Sequence, residues 1–413
     1  MNKNKKGFIS MTLVYTFLVI FLFLMLAILN TYTQKDKFLE AINSKINDDI
    51  GKNKATRSSI INKVLEENTP VPYTRYSPIN IANKAYSNGN GLFYIDNVSI
   101  TDENGDGVSN RIYFFRGQIE TNHVVFAKLC WRIIRTNEDG STRLMYDGPA
   151  TIDNKCKTHD QIVSSGTNPR SIGTVKFNAA SNNAAYTGFM YKGTEVLEAD
   201  DENPQSLIKK MLDAWYRSNI ADTLNENNNN SYANSVSPAI YCSDRTYLSK
   251  QITPWFIDDH DHNMYNTANI KNSITLICPG EKNASGVYTR DDRFNVVDNV
   301  NGNKLLFYPV GLVSAQEVAL AGGYLRSDDD LFEGGNNGMI NEGYYMYTGR
   351  NYWTMSPYGF DSGVARVVYV NSQGYMQPAS VTNNFDVIPV LSLKVSAAVK
   401  TGNGSPDNPF IIR

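Results

Sequence analysis

Residues 8–29 form a continuous apolar run, interrupted by Ser10, Thr12 and Thr16 and by no charge. As a helix this run is roughly 33 Å long, enough to cross a bilayer core. Lys3, Lys5 and Lys6 precede it. Basic residues stay on the cytoplasmic side, so everything beyond Asn30 is expected outside the cell. A signal peptide would have an apolar region of about 7–15 residues followed by a small-x-small cleavage site. Here the run ends in Leu29-Asn30-Thr31-Tyr32, so residues 1–30 read as a basic tail and a retained single-pass anchor. Beyond it the period changes. Ile42, Ile46 and Ile50 recur every four residues, and Ile60, Ile61, Val64 and Leu65 resume the pattern. This predicts an amphipathic stem helix over residues 31–69, weakened at Gly51 and ended by Pro70 and Pro72. Residues 70–91 are polar and turn-rich and read as a linker.

From residue 92 to 413 the pattern is of short strands between turns. Candidate strands are 110–116, 124–135, 142–146, 305–310, 364–370 and 387–393. Asn137-Glu138-Asp139-Gly140 and Ser372-Gln373-Gly374 have hairpin-turn chemistry. Two helices stand out. Residues 206–219 carry Leu207, Ile208, Met211, Leu212 and Trp215 at helical spacing. Residues 314–321 open with Ser314 and have Glu317 three positions on, a capping box. The fold class is therefore α+β: an N-terminal transmembrane helix continuing into a stem, then a large, mixed or antiparallel, β-rich head. Composition agrees. The chain has 25 Tyr, 18 Phe and 29 Gly, and its charged share of 19% is too low for a charge-rich disordered protein. A net charge of -2 gives no global field to attract nucleic acid.

Two resemblances rest on particular residues. Lys6-Gly7-Phe8 at the start of the apolar run resembles the processing site of type IV prepilins and pseudopilins. The resemblance implies cleavage between Gly7 and Phe8 by a prepilin peptidase, methylation of Phe8, and pilin-like filament subunits as partners. The fifth residue from Phe8 is Thr12, where most pilins carry glutamate; this points away from a major pilin and toward a minor or pseudopilin-like subunit. A plain signal anchor containing Gly-Phe is the competing reading. In the head, Cys130-Trp131-Arg132-Ile133-Ile134-Arg135, Arg143-Leu144-Met145-Tyr146-Asp147-Gly148 and Ala185-Tyr186-Thr187-Gly188-Phe189-Met190-Tyr191 resemble blocks of a family of uncharacterised Gram-positive surface proteins. So do Tyr241-Cys242-Ser243-Asp244-Arg245, Tyr308-Pro309-Val310-Gly311-Leu312 and Ala319-Leu320-Ala321-Gly322-Gly323. The closing order, Tyr352-Trp353-Thr354-Met355-Ser356-Pro357, then residues 364–374, then Ile388-Pro389-Val390-Leu391-Ser392-Leu393, is similar to the closing half of C-type-lectin-like domains, including those related to formylglycine-generating enzymes. It implies a lectin-like C-terminal half over about 240–413. Related sequences tend to have Gly-Val-Arg-Pro-Val where this chain has Asp386-Val387-Ile388-Pro389-Val390. The catalytic cysteine pair of the formylglycine-generating relatives has no match here, so that activity is not implied.

The four cysteines, Cys130, Cys156, Cys242 and Cys278, all follow the anchor. An even number in a translocated chain favours disulfides, and the residues alone allow three connectivities. The resemblance, together with proximity in sequence, implies Cys130–Cys156 and Cys242–Cys278. The alternative is free buried thiols.

Candidate chemistry is sparse. Asp102, Asn104 and Asp106, followed by Gly107, match the first half of a calcium loop, but the twelfth position is Tyr113 rather than glutamate. The same residues suit a polar hairpin turn, so calcium is a candidate cofactor and no other is expected. Asp258-Asp259-His260-Asp261-His262 reads as a solvated loop before a metal site, because adjacent residues rarely converge on one ion. Thr275-Leu276-Ile277-Cys278 is similar to a sortase strand. It is one residue short, its histidine spacing is too small, and Pro279 fits a disulfide-linked turn better. No Walker loop, GxSxG, HExxH or Rossmann glycine pattern occurs. Trp131, Trp215, Trp255 and Trp353 could stack on sugars, but each reads first as core: Trp131 and Trp353 lie in strand-like blocks and Trp215 on the apolar face of a helix. The Tyr-, Asn- and Ser-rich segment 342–384 suits a recognition surface. The expected protein is a non-enzymatic cell-membrane protein with its N-terminus in the cytoplasm and an extracellular binding or adhesion head for a host or cell-wall ligand, glycan or protein. The other readings are a structural pseudopilin-like assembly component and, third, an extracellular cysteine transferase or protease.

Overall fold

The computed structural model describes residues 59–73, 90–101, 107–137, 139–189, 206–225, 230–243, 293–295, 304–325 and 340–412. By its contacts the chain divides into Met1–Arg57 and Ser58–Arg413. The first unit, with the apolar run, Gly7 and Phe8, lies outside the described residues. Among the described residues no helix is long and apolar enough to cross a membrane.

The unit Ser58–Arg413 is α+β and β-rich. It opens with helix α1 (Ser59–Glu67), whose Ile60, Ile61 and Val64 are buried in the same core cluster as the strands. Asn68 ends the helix by donating its backbone N–H and its Nδ2 to the Val64 carbonyl at 2.8 and 3.0 Å. The end of the predicted stem helix thus packs on the head. Part of the predicted linker is a strand, since β1 (Val71–Pro72) pairs with β2 (Gly91–Thr101). Then come β3 (Gly107–Arg116), β4 (His123–Phe126), β5 (Leu129–Thr136) and β6 (Thr142–Pro149). A short helix α2 (His159–Val163) and β7 (Thr174–Lys176) follow, then α3 (Leu207–Tyr216), which continues as a π-helical turn over Arg217–Ala221. The chain goes on through β8 (Tyr241–Cys242), β9 (Arg293–Asn295), β10 (Lys304–Leu305), α4 (Ala315–Ala321) and β11 (Tyr324–Leu325). It closes with β12 (Tyr352–Asp361), β13 (Val364–Val370), β14 (Tyr375–Ser380), β15 (Asn384–Asp386), β16 (Val390–Leu393), β17 (Val399–Thr401) and β18 (Phe410–Ile412).

Two large sheets and a small one result. The first has the path β1-β2-β3-β5-β4-β18-β17, with β6 on β5 and β16 on β6. The second runs β11-β14-β13-β12-β15-β7, and β10-β9-β8 form the third. One large core cluster joins α1, α3, α4 and both large sheets, with Trp131 and Trp353 fully buried in it and Trp215 packed against it. Ile388, in the position where the resembling proteins tend to have arginine, is also part of this core.

Local chemistry explains several elements. Both expected helices form where predicted: Ser206 caps α3 by accepting from Lys209 N, and Ser314 and Glu317 complete the capping box of α4. Gly322 ends α4 at φ 119°, a left-handed position suited to glycine. Gly374 closes the β13–β14 turn at φ 84°, where a Cβ would lie 2.1 Å from the Asn341 carbonyl oxygen. The single strand expected over 124–135 is instead a hairpin. Ala127 and Lys128 turn the chain at φ 55° and 59° between β4 and β5. That is a tight-turn geometry, here without the usual Asn-Gly signal.

Candidate functional site

Two groups of charged residues in the head stand out: those whose partners lie in the core, and those at the edge of the second sheet. In the core, β5, β6 and α4 bring Arg135, Arg143 and Glu317 together. Glu317 Oε1 lies 2.9 Å from Arg135 Nε and 2.6 Å from Arg143 Nε, and all three residues are buried. Its other oxygen accepts the Ser314 N–H at 2.9 Å, so one carboxylate both caps α4 and holds two cations. The Arg143 guanidinium also lies over the Tyr241 ring, 4.5 Å from its centroid. Burial alone would raise the Glu317 pKa; the two guanidinium groups reverse this and hold the carboxyl below its ordinary range.

A second buried cluster joins β4, β5, β6, α2 and the loops around 170 and 345. Arg170 Nε donates to Asp147 Oδ1 at 2.6 Å, and Arg170 Nη1 donates to the Tyr345 and Tyr347 carbonyls at 2.6 and 3.2 Å. Arg132 Nε donates to Asn122 Oδ1 at 2.5 Å, and its Nη2 donates to the Ile119 carbonyl. His123 lies between these groups. Its Nδ1 is 3.2 Å from the Glu120 carbonyl and its Nε2 is 3.0 Å from Arg132 Nη1. A carbonyl only accepts and a guanidinium only donates, so Nδ1 carries the proton and the ring is neutral. Burial, then the charge of Arg132, hold the His123 pKa well below the usual histidine value. Burial, then Arg170 and Arg132, push His159 down to about 3.

The Arg170 loop also supports a surface cleft. The segment it grips through Tyr345 and Tyr347 continues into Gly349, Arg350 and Asn351. Two residues before Arg170, Asn168 Nδ2 donates to Asp386 Oδ2 at 2.9 Å. Gly349, Arg350, Asn351 and Asp386, with Thr174, Ser372, Asn384 and Phe385, line a cleft of about 240 Å³ at the ends of β7, β12 and β15. Aromatic rings pack beneath it. Phe385 stacks on Tyr369 at 4.5 Å and meets Trp353 at 4.6 Å, and Trp353 Nε1 donates to the Val175 carbonyl at 2.9 Å. Asn351 fixes one wall, its Oδ1 accepting the Ser372 N–H at 2.7 Å and its carbonyl accepting the Asp386 N–H at 2.9 Å. Arg350 is half-exposed. Its Nε lies 3.5 Å from Asp386 Oδ2 and its Nη1 3.5 Å from the Gly166 carbonyl, both at the limit of hydrogen bonding.

Of the residues expected to carry chemistry, Cys130 and Cys156 form a disulfide joining β5 to the loop after β6. Gly7, Phe8, Asp102, Asn104, Asp106, Trp255, His260, His262, Cys278 and the side chain of Cys242 lie outside the described residues. Among the described residues no group of three or more His, Cys, Asp and Glu side chains is placed to hold a metal ion. The expected recognition segment 342–384 supplies Gly349, Arg350, Asn351 and Ser372 to the cleft, and Asn384 closes it. Thr174, Phe385 and Asp386 escaped the sequence reading. Thr174 is remote in sequence and has no motif around it, and Asp386 stood out only as a departure from a resembling block. No protein-family model matches the chain, no curated protein matches it, and no solved structure matches its fold.

Proposed function

We propose that the chain is a bacterial cell-surface protein, fastened by residues 1–30 to the cell membrane and carrying the β-rich head outside as a binding or adhesion module. In this reading the head is C-type-lectin-like over about 240–413, and Gly7-Phe8 is a prepilin-peptidase site that makes the chain a minor type IV pilin-like subunit. The cleft at the edge of the second sheet carries the binding reading. It lies on a base of packed aromatic rings, and the segment rich in Tyr, Asn and Ser lines much of it. Small polar groups on such a base give adaptable contacts at low entropic cost. The role is recognition of a host or cell-wall ligand, without catalysis by the head.

The test is expression of the full chain on a non-adherent bacterium. Adhesion to host matrix or to purified cell wall, removed by protease shaving and by Arg350→Ala with Asn384→Ala, is the expected outcome. Failure of intact cells to adhere to any such surface, with the head inaccessible to protease, would remove the proposal. Sequencing the mature N-terminus checks the pilin-like part: methylated Phe8 supports it, and an intact Met1 removes it.

A further inference from the structure

We infer that the cleft takes one uncharged pyranose ring of a glycan, an assignment that rests on the binding reading above. Its volume of about 240 Å³ is below the roughly 300–1,000 Å³ of sites that enclose drug-sized ligands. That suits a single ring with the rest of the polymer outside.

The lining has the chemistry of a polyol partner. Among the described residues, the Thr174 and Ser372 hydroxyls, the exposed Asn384 amide and the Nδ2 of Asn351 make no hydrogen bond within the protein. Each sugar hydroxyl both donates and accepts, and this set offers both functions, since amides and hydroxyls supply acceptor oxygens as well as N–H and O–H donors. The Phe385 side chain adds an apolar surface for the C–H face of the ring.

Charge decides against an acidic ligand. The one guanidinium, Arg350, faces the carboxylate of Asp386 at 3.5 Å. A ligand carboxylate drawn to Arg350 would meet Asp386 beside it, a like charge that opposes binding. A neutral hydroxyl pair meets no such opposition and can bridge the two groups.

The experiment uses the full chain in detergent, with saturation-transfer NMR against methyl hexopyranosides and the matching methyl uronides. A dissociation constant on the order of 1 mM is expected for a neutral hexoside, the scale set by ligand size. Asn384→Ala with Ser372→Ala is expected to weaken it at least tenfold, and Lys400→Ala on the first sheet to leave it unchanged. Tighter binding of uronides than of hexosides overturns the choice of an uncharged ring. Equal hexoside binding by wild type and cleft variant overturns the site. Absence of sugar binding, with cell adhesion still lost in the cleft variant, overturns the sugar class and leaves the adhesion reading standing. Loss of neither sugar binding nor adhesion on changing the cleft overturns both.

Discussion

The buried charges and the surface cleft use the same residue types in opposite ways. In the core, Arg135, Arg143, Arg132 and Arg170 direct their donors at Glu317, Asp147, Asn122, His123 and backbone carbonyls, sealed from water. At the cleft, Arg350, Asn384 and Ser372 keep donors and acceptors available at the surface. A buried charge must find partners inside the protein because desolvation is otherwise costly. A surface polar group can wait for a ligand. Charge in the core therefore reads as architecture here, and the sparsely bonded edge of the second sheet is where recognition can occur.

The strongest way to break this contrast is Glu317→Ala. It leaves two buried guanidinium groups without their carboxylate and is expected to cost about 3–5 kcal/mol in chemical denaturation. A loss below about 1 kcal/mol would mean that the triad is not the buried anchor described. Next, Cys130→Ala with Cys156→Ala removes a crosslink spanning 26 residues. Loss of about 3 kcal/mol is expected from chain entropy, read as a lower urea midpoint under non-reducing conditions. Third, the two buried neutral histidines should make the fold acid-sensitive. Their folded pKa values lie below the unfolded value of about 6.5, so above that pH neither state is protonated and they contribute no slope. As pH falls below it, the unfolded chain takes up protons that the fold refuses, and stability declines by up to about 1.4 kcal/mol per pH unit for each histidine. Urea midpoints at pH 7, 6 and 5 give the slope, and His159→Gln should reduce it by about half. The smallest effect belongs to the cleft. Asn384→Ala and Ser372→Ala should change stability by less than about 0.5 kcal/mol, because neither side chain serves the fold. A larger loss would make the cleft part of the architecture and erase the contrast.

Legibility followed locality. The capping box of α4, the Gly374 turn, the α3 stripe and the strands β3, β6, β13 and β16 could be read because each depends on residues close together in sequence. Even there one turn was hidden: Ala127-Lys128 adopts left-handed conformations that neither residue advertises, so two strands read as one. Of the cleft, the segment 342–384 stood out by composition, while Thr174 and Asp386 did not, because only strand pairing brings β7 against β15 and β15 against β12. Glu317 shows the division within one side chain. Its capping of α4 is set by the spacing to Ser314, three positions away. Its pairing with Arg135 and Arg143 spans more than 170 residues. The sequence by itself determined the periodicities, the caps and the apolar positions, since those act over a turn of helix or a pair of strands. Only the tertiary structure decided which charges face each other in a dry core and which remain at the rim, because burial and register are properties of the assembled sheets.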